Sequence, residues 1–434
     1  MSPRIVITTY GSFGDVHPYI AIALELKARG YHPAIAMSEN YRPKIETEGI
    51  EFCPIRPNAA IDIEQDGEWI AVLKQSQRDS EYAICYVLMP HLRGTYRDLK
   101  QAVRGADLLI THHLSFAGSL VAQTTGIPWV STVLSPISFM SAYDLPGKGD
   151  RSLSAYEQAL KRVADDSLLR LARWQTRYWS APMRQLRREL GLGPGLDPVF
   201  EGQHSPDLVL ALFSQILADR QPDWPPQTQI TGFPFYDRRA SFESHLSPEL
   251  LEFLAAGEPP IVFTLGSLFV WTPGNFYLEG AKAAAQLGYR SVLLMGQAAH
   301  TLSRHELPEG AIAVDYAPHS EIFPRAAAIA HHGGVGTTGQ ALRSGKPMLV
   351  VPFAHDQPDN AARVVRLGVG RTLALSESSA QQMASELKEL LFNPSYAAKA
   401  AEIGQVMQGE NGVGNAADAI VSYLNQIREQ KGDE

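Results

Sequence analysis

Short apolar runs rich in β-branched residues alternate with segments of helical periodicity along most of the chain. The first run, Ile5–Thr9, ends in the glycine-bearing loop Tyr10–Asp15. An apolar pattern of helical period follows from Pro18 to Leu26 and stops before Gly30, a residue type that commonly ends helices. The pattern therefore predicts a strand, a loop and a helix, in that order.

This cycle recurs in two series. The first predicts strands at His32–Met37, Ile50–Cys53, Asp107–Thr111 and Pro128–Val133, with helices at Arg42–Glu48 and Phe116–Thr124. The second predicts strands at Pro260–Leu265, Arg290–Met295, Ala311–Asp315, Ala326–His331 and Met348–Pro352, with helices between them. Strands that alternate with helices indicate parallel sheets covered by helices on both faces. The predicted fold class is therefore α/β, built from doubly wound, Rossmann-like domains.

Two features divide the chain into domains. A long helical stretch between residues 149 and 195 carries Trp174, Tyr178, Trp179 and Met183, which indicate either a buried core or the lining of an apolar pocket. The proline-dense segment Arg220–Pro226 is typical of an interdomain connection. We predict domains at 1–220 and 241–411, a linker at 221–240 and a helix at 412–430 that packs back on the first domain. The two domains would face each other across a cleft, and ligands would bind beyond the carboxyl ends of the strands.

Composition and charge exclude several classes of protein. The 434 residues are 45% hydrophobic, which suffices for sizeable cores. The net charge of −8, without a run of Lys or Arg, argues against a nucleic-acid partner. The two cysteines cannot form a disulfide framework. No leader-like segment or membrane-spanning apolar run is evident, so we expect a cytoplasmic protein without an integral membrane segment and leave its oligomeric state open.

The segment Ala330–Gly339 is the richest in potential chemistry, because it directly follows a predicted strand and opens a helix. Free backbone N–H groups at a helix start, with the positive end of the helix dipole, form a seat for a diphosphate. His332, Thr337 and Thr338 can add hydrogen-bond donors. Asp356 and Gln357 follow the next strand and offer acceptors and donors for sugar hydroxyls, although Asp356 could instead cap the following helix.

The same turn also matches a weaker pattern. Gly334–Gly339 satisfies G-x-G-x-x-G, and Asp356 follows at about the distance of a dinucleotide-binding acid. A nucleotide-dependent dehydrogenase is therefore a remote alternative. It is disfavoured because the turn follows the fourth strand of its domain, whereas a dinucleotide loop normally follows the first. A purely structural glycine turn is the other alternative.

The order H-H-G-G-x-G-T-T, then G-x-P, then D-Q across residues 331–357 resembles the donor-binding signature of family-1 glycosyltransferases of the GT-B fold. The segments Gly11–Val16, Ile230–Pro234 and Phe263–Ser267 extend the resemblance over nearly the whole chain. It is most similar to the bacterial branch with sterol and antibiotic glucosyltransferases and the rhamnolipid-forming rhamnosyltransferase. The resemblance implies an N-terminal acceptor-binding domain and a C-terminal domain for the nucleotide-sugar donor.

The resemblance also implies an inverting transferase that moves a hexose from a nucleoside diphosphate sugar to a hydroxyl of a largely apolar small molecule. UDP-glucose is the expected donor, and a rhamnosyltransferase that uses dTDP- or UDP-rhamnose is the alternative. A non-catalytic module that binds nucleotide sugars is a further rival. No cofactor or metal is expected, because the chain has no D-x-D motif and its adjacent histidine pairs lack the spacing of metal ligands.

The resemblance assigns site residues one by one. It puts Asp356 and Gln357 on the sugar, Tyr316 at the place of a base-stacking Trp, and Gln340 at the place of a Glu that grips the ribose. The last two depart from the family pattern and leave the base and ribose contacts open. The resemblance puts Ser267, His332 and Thr337 on the donor diphosphate, and the helix start predicts Gly334, Gly336 and Thr338 as further donor-binding residues.

The loop Gly14–Pro18 carries the candidates for the base that removes a proton from the acceptor hydroxyl. Aligned with the G-H-x-N-P of many family members, Asp15 takes the place of the catalytic His and His17 takes the place of the Asn. Asp15 is the first candidate and His17 is the second. A third possibility is that neither residue is the base. His112 stands where plant relatives have an Asp that pairs with the catalytic His, so Asp15 and His112 would form an exchanged dyad unless His112 is an ordinary loop residue.

Overall fold

The computed structural model describes residues 2–58, 75, 80–144, 155–237, 246–267, 269–271, 273–296, 299 and 307–432. The chain divides into two compact units. The first comprises Met1–Gly11, Asp15–Tyr236 and Asn411–Glu434, and the second comprises Ser12–Gly14 and Asp237–Glu410. Each unit contains one sheet whose paired strands all run parallel. The predicted α/β class is thereby confirmed.

The strands fall into two sheets. The first sheet contains β1 (Arg4–Thr8), β2 (His32–Met37), β3 (Glu51–Pro54), β4 (Leu108–His112), β5 (Trp129–Val133), β6 (Leu208–Ala211) and β7 (Thr228–Ile230). The second contains β8 (Ile261–Thr264), β9 (Ser291–Leu294), β10 (Ala311–Val314), β11 (Ala328–His331), β12 (Met348–Val350) and β13 (Gly370–Thr372). The strand orders are β3-β2-β1-β4-β5-β6-β7 and β10-β9-β8-β11-β12-β13.

Helices connect the strands. In chain order they are α1 (Phe13–Ala28), α2 (Arg42–Thr47), α3 (Met89–Ala102), α4 (Ala117–Thr125), α5 (Ala155–Thr176), α6 (Ala181–Glu189), α7 (Pro248–Ala255), α8 (Phe276–Gln286), α9 (His319–Ile322), α10 (Val335–Ser344), α11 (Gln357–Leu367), α12 (Ala380–Phe392), α13 (Pro394–Gln408) and α14 (Gly412–Gly432). A helical turn at Ser80–Tyr82 and a π-helix at Ala83–Leu88 lead into α3. Single 3₁₀ turns lie at Glu39–Tyr41, Pro136–Phe139, Glu201–Gln203, Phe269–Trp271, Phe323–Arg325 and Leu375–Glu377. None of the described helices is both long and apolar enough to cross a membrane.

The central strands are apolar on both faces because helices cover both sides of a parallel sheet. Ile5, Val6 and Ile7 of β1 are completely buried. In each sheet the strand order reverses direction beside the first strand of the unit, between β1 and β4 in one and between β8 and β11 in the other. Loops that leave neighbouring strands at such a point diverge and open a crevice at the carboxyl edge. The candidate site residues discussed below mostly follow these four strands.

The structure differs from the predicted linker at 221–240. Thr228–Ile230 forms β7, which pairs with β6 as the last strand of the first sheet. Trp224, in the middle of the proline-dense segment, is 4% exposed and stacks on Phe139 with a centroid distance of 4.1 Å. A strand of three residues is too short to show periodicity, and the prolines hid it. Residues 238–240 of the predicted linker lie outside the described part of the chain.

The C-terminal helix α14 groups with the first unit. Asn415 donates from Nδ2 to the carbonyl of Thr231 at 2.9 Å, and the Tyr423 hydroxyl donates to Asp207 at 2.8 Å. A Cβ on Gly412 would overlap the backbone of Phe233, so only glycine lets the helix start this close to that segment. Asp418 and Arg428 of α14 also form ion pairs with Arg29, which follows α1, and with Asp107, which precedes β4, so the helix is held at several places on the first unit.

The helical stretch around α5 and α6 carries apolar residues of two kinds. Met183 and Leu169 are buried in the first unit, as a core interpretation predicts. Trp174 and Tyr178 are 70% and 55% exposed. The core interpretation therefore holds for only part of this stretch.

Candidate functional site

Asp15 lies in the first turn of α1, directly after the loop that leaves β1. The Thr9 hydroxyl donates to the Asp15 backbone carbonyl at 2.9 Å and closes this loop. Gly11 has a φ of 130°, and a Cβ there would overlap the Asp15 carboxylate. Glycine is therefore required at position 11, both for the backbone angle and for the space that the carboxylate fills.

The structure brings His112, the last residue of β4, to Asp15. The distance from His112 Nε2 to Asp15 Oδ1 is 3.7 Å, which makes a close polar contact but exceeds hydrogen-bond length. The Leu114 backbone N–H donates to His112 Nδ1 at 3.3 Å, so the neutral ring carries its proton on Nε2. Complete burial, with a smaller effect of His113, holds the pKa of His112 well below its usual value. At neutral pH the neutral ring therefore presents an N–H group to the carboxylate.

Three tyrosines surround this pair. Burial, with a smaller contribution from the Asp15 charge, raises the pKa of Tyr10 to about 12 and raises the pKa values of Tyr19 and Tyr41 further. The Tyr41 hydroxyl donates to the Gly11 carbonyl at 2.9 Å, and the Tyr19 ring stands edge-on to His112 at a centroid distance of 6.0 Å. The Asp15 side chain is nevertheless 30% exposed. The carboxylate thus has access to solvent on one side and weakly polar surroundings on the other.

His17 is directed elsewhere. It follows Asp15 by two residues on α1, and residues at that spacing do not share a helix face. Its ring lies 5.0 Å, centroid to centroid, from the ring of Tyr236. Of the two sequence candidates for a base, Asp15 is therefore the one that lies beside His112, and its role stays a prediction.

In the second unit, the diphosphate seat predicted from the sequence is the start of α10, immediately after β11. Gly334 is the N-cap residue and has no side chain to satisfy the first N–H groups of the helix. The N–H groups of Val335, Gly336 and Thr337 are thus placed to meet an anion. Thr337 is 8% exposed in this turn. The helix start has the polarity and the open cap that an anion requires.

Thr338 differs from its predicted role. It is completely buried, and its hydroxyl donates to the Gly334 carbonyl of its own helix at 3.0 Å. A threonine hydroxyl has one hydrogen, which here serves the helix. Thr338 therefore stabilises the start of α10 and offers no donor to a ligand.

His332 lies between two glycines. A Cβ on Gly266 would come within 2.7 Å of its Cε1, and one on Gly334 within 2.5 Å of its Nε2. Burial, with a smaller effect of His319, lowers the pKa of His332 to about 3 against the opposing hydrogen bond to the Thr264 carbonyl. Its Nδ1 is buried without a hydrogen-bond partner in the described part of the chain. His332 is thus a neutral ring with one unmatched nitrogen at the diphosphate seat.

Asp356 stands at the N-cap position of α11, but its side chain makes no cap bond there. Its Oδ2 instead accepts from Asn360 Nδ2 at 2.8 Å. The preceding residue, His355, has a φ of 59°, which is uncommon for any residue other than glycine. The capping alternative from the sequence is therefore not what the structure shows, and the carboxylate follows a strained backbone position.

Gln357 is 3% exposed, and its Oε1 accepts the backbone N–H groups of Phe353 at 2.8 Å and Ala354 at 3.1 Å. Its amide oxygen therefore holds the loop between β12 and α11. Its Nε2 is the group that could donate to a ligand. The sequence alone did not show that the oxygen and the nitrogen of this amide have different roles.

The remaining donor candidates lie at the carboxyl edge of the second sheet or on α10. Ser267 is exposed after β8, and Tyr316 is 54% exposed after β10. Gln340 accepts at Oε1 from Arg343 at 2.9 Å and donates from Nε2 to Asp237 at 3.5 Å. Gln340 is thus held within a polar network on the second turn of α10, whereas Ser267 and Tyr316 are open to solvent.

Sequence reasoning missed Asn360, which is completely buried. Its Nδ2 donates to the Gly333 carbonyl at 2.9 Å as well as to Asp356. The sequence offered one signal for this residue, because Asn360 is a polar residue four positions after Asp356 on the predicted helix. An amide at that spacing can reach back to the start of its own helix.

Comparisons with known proteins match both units. Residues 5–84 match the model of the glycosyltransferase family 28 N-terminal domain. Residues 284–419 match the C-terminal domain described as erythromycin biosynthesis protein CIII-like. The first match covers the Asp15 loop, and the second covers Tyr316, His332 and Asp356.

Individual relatives extend over the whole chain. The O-mycaminosyltylonolide 6-deoxyallosyltransferase of Streptomyces fradiae is 30% identical over 426 residues, which cover 97% of each protein. The sterol 3-beta-glucosyltransferase of Neurospora crassa is 29% identical over 452 residues, and the match spans 98% of this chain but 27% of that enzyme. The solved structure of spinosyn rhamnosyltransferase SpnG with thymidine diphosphate shares the fold with a TM-score of 0.66, at 18% identity and with 98% and 100% of the two chains covered. The chain therefore belongs to the family-1-like glycosyltransferases of the GT-B fold.

Proposed function

We propose that the protein transfers a hexose, with inversion, from a nucleoside diphosphate sugar to a hydroxyl of a largely apolar small molecule. The observation that carries the proposal is the open start of α10, where a glycine N-cap leaves backbone N–H groups free of side-chain caps. These groups and the helix dipole would stabilise the negative charge that the diphosphate gains when it leaves.

Asp15 supplies the base in this proposal. Its carboxylate takes the proton of the acceptor hydroxyl, the hydroxyl oxygen bonds to the anomeric carbon, and the bond from that carbon to the diphosphate oxygen breaks with inversion. The N–H of neutral His112 faces the carboxylate at 3.7 Å and is proposed to orient it by closing to a hydrogen bond when the substrates bind. Asp15 is partly exposed, so an acceptor hydroxyl can reach it.

The donor is proposed to be UDP-glucose, with a dTDP- or UDP-deoxyhexose as the second candidate. Two findings favour the second: one relative is named as a 6-deoxyallosyltransferase, and a rhamnosyltransferase of the same fold was solved with thymidine diphosphate. Tyr316, exposed at the carboxyl edge, is the residue proposed to stack on the base. The described residues include no group of three or more His, Cys, Asp or Glu that could hold a metal, and metal independence stays a prediction.

The first unit has a small cavity of about 30 Å³ with a largely apolar lining, which would have to widen to admit a small-molecule acceptor. It lies at the carboxyl ends of β1 and β4, beside Tyr10 and Ser115. Its apolar lining includes Ile55, Leu88, Leu92, Leu99, Leu114 and Phe116. Leu114 is also the residue whose N–H binds His112, so the cavity adjoins the residue proposed to orient Asp15. One relative is named for its action on sterols, which are largely apolar alcohols.

Calorimetric titration of the purified chain with UDP, dTDP and NADH tests the class of protein. We expect a nucleoside diphosphate to bind and NADH not to bind. Release of that diphosphate from its sugar conjugate should then depend on an added sterol, macrolide or phenolic alcohol. Tight binding of NADH alone would favour the dehydrogenase, and nucleotide binding without turnover on any acceptor would favour the binding module.

His112→Ala tests the orienting role of His112. We expect kcat to fall about tenfold or more, with KM for the nucleotide sugar unchanged, because His112 belongs to the first unit whereas the residues proposed to bind the donor belong to the second. The acidic limb of the pH–rate profile should move to higher pH, since the carboxylate loses an N–H group that favours its charged form. An unchanged profile with unchanged kcat would contradict this role.

A further inference from the structure

The peptide unit of Gly333 is held on both sides by buried side chains. Its N–H donates to His331 Nδ1 at 3.0 Å, and its carbonyl accepts from Asn360 Nδ2 at 2.9 Å. Gly333 has a φ of 91°, and a Cβ there would lie 2.9 Å from Val350 Cγ1. His331 and Asn360 are both completely buried, so neither is placed to touch a ligand. The backbone that enters the diphosphate seat is therefore fixed from beneath.

The Asn360 amide also binds Asp356. A side-chain amide nitrogen carries two hydrogens, and here one points to the Gly333 carbonyl and the other to Asp356 Oδ2. Asp356 has no cap bond to the start of α11. The contact with Asn360 is thus a direct link between the proposed sugar carboxylate and the turn that precedes the diphosphate seat.

We propose that Asn360 is a positioning residue that sets the Asp356 carboxylate relative to the start of α10. The inference rests on the proposed function, because it assumes that Asp356 binds the sugar and α10 binds the diphosphate. In this proposal Asn360 touches neither the sugar nor the diphosphate. It sets the distance between the groups that bind these two parts of the donor. Loss of the link should weaken binding of the sugar conjugate more than binding of the nucleoside diphosphate alone.

N360D is the sharpest test, because it keeps the size of the side chain and replaces the donor with a carboxyl group. Two carboxylates within hydrogen-bond distance cannot both ionise readily, so the pair would share one proton. The other ionisable groups beside this pair include His331, whose pKa burial holds well below its usual value, and His332, whose pKa burial lowers to about 3. They also include His355, which precedes Asp356 in the sequence, and the buried Asp359–Arg363 pair with an N–O distance of 2.8 Å. The new carboxyl should therefore titrate with Asp356.

The expected result depends on pH. At pH 8 we expect the Kd for the nucleotide sugar to rise about tenfold or more, with the Kd for the nucleoside diphosphate changed less than about threefold. At pH 5.5 the shared proton restores one donor, so part of the loss should be recovered. Because the pKa of the pair is raised above its unfolded value, the free energy of unfolding should fall as pH rises from about 5 to 8, relative to wild type.

N393D is the matched control. Asn393 also donates from Nδ2 to a carboxylate, Glu389 Oε1 at 3.0 Å, but it lies at the surface at the start of α13. N393D makes the same chemical change as N360D. It should alter neither the affinity for the nucleotide sugar nor the pH dependence of that affinity. A buried carboxylate that merely disrupted packing would weaken binding of the nucleotide sugar and of the nucleoside diphosphate equally at every pH.

The outcomes separate the two proposals. If wild type binds a nucleoside diphosphate and N360D behaves like N393D, or loses both ligands equally without recovery at low pH, the positioning role is overturned while the proposed function stands. If wild type binds no nucleoside diphosphate, the proposed function is overturned and the positioning role with it. A selective, acid-reversible loss of sugar-conjugate affinity supports both.

Discussion

Asp15→Asn is expected to lower kcat by about 10²–10⁴-fold, the usual contribution of a positioned general base. The amide fills the space over Gly11 that the carboxylate fills, so the loop before α1 should keep its shape. It cannot accept a proton from an acceptor hydroxyl at any working pH. The residues proposed to bind the donor belong to the second unit, so the Kd for the nucleoside diphosphate should stay within about threefold of wild type. Steady-state turnover and calorimetry on the same preparation measure both quantities.

Asp219→Asn makes the same chemical change at an exposed position of the first unit and should leave kcat unchanged. His17→Gln decides between the two base candidates. If turnover survives in Asp15→Asn but is lost in His17→Gln, Asp15 is not the base, although the glycosyltransferase class would stand.

Gly333→Ala has the second large expected effect, on both stability and donor binding. Alanine at a φ of 91° would bring its Cβ within 3.1 Å of the Gln357 carbonyl oxygen as well as against Val350. The backbone must move, and it leads directly to the N–H groups of α10. We expect the free energy of unfolding to fall by about 1–3 kcal/mol and the Kd for the nucleoside diphosphate to rise more than about tenfold. Chemical denaturation and calorimetry measure the two effects.

Gly288→Ala controls for the backbone angle alone. Gly288 has a φ of 75°, and no atom lies within 4 Å of a Cβ built there. This variant should lose about 1 kcal/mol of stability, the cost of the left-handed conformation without a clash. It should bind the nucleoside diphosphate as wild type does. Equal effects of the two substitutions on ligand binding would show that the turn at Gly333 does not set the diphosphate seat.

The strands of the two sheets were predictable because their signal is local. His32–Met37 was predicted with the bounds that the structure shows, since a buried strand of a parallel sheet is a continuous apolar run. Thr228–Ile230 was missed because three residues beside prolines carry no period. Helix α1 begins at Phe13, before the apolar pattern that starts at Pro18, so the first helical turn at Asp15 was not evident from the periodicity.

For the site, the sequence identified residue types but not the division of their hydrogen bonds. The pattern around His332 predicts a diphosphate seat because the order strand, glycine turn, helix is a local geometry that commonly binds phosphates. It could not show that Thr338 serves its own helix or that the Gln357 oxygen closes a loop. Both facts depend on which backbone groups remain unpaired after folding.

The amino-acid sequence by itself determined the α/β class, the turn before α10 and the presence of an acid at Asp15, because each depends on neighbouring residues. Only the tertiary structure decided that Asp15 meets His112, since that contact requires β1 and β4 to be adjacent strands of one sheet. The same holds for Asn360, whose two hydrogen bonds join a turn after β11 to the start of α11. Local periodicity encodes which face of an element is buried, whereas strand order and packing decide which distant side chains meet.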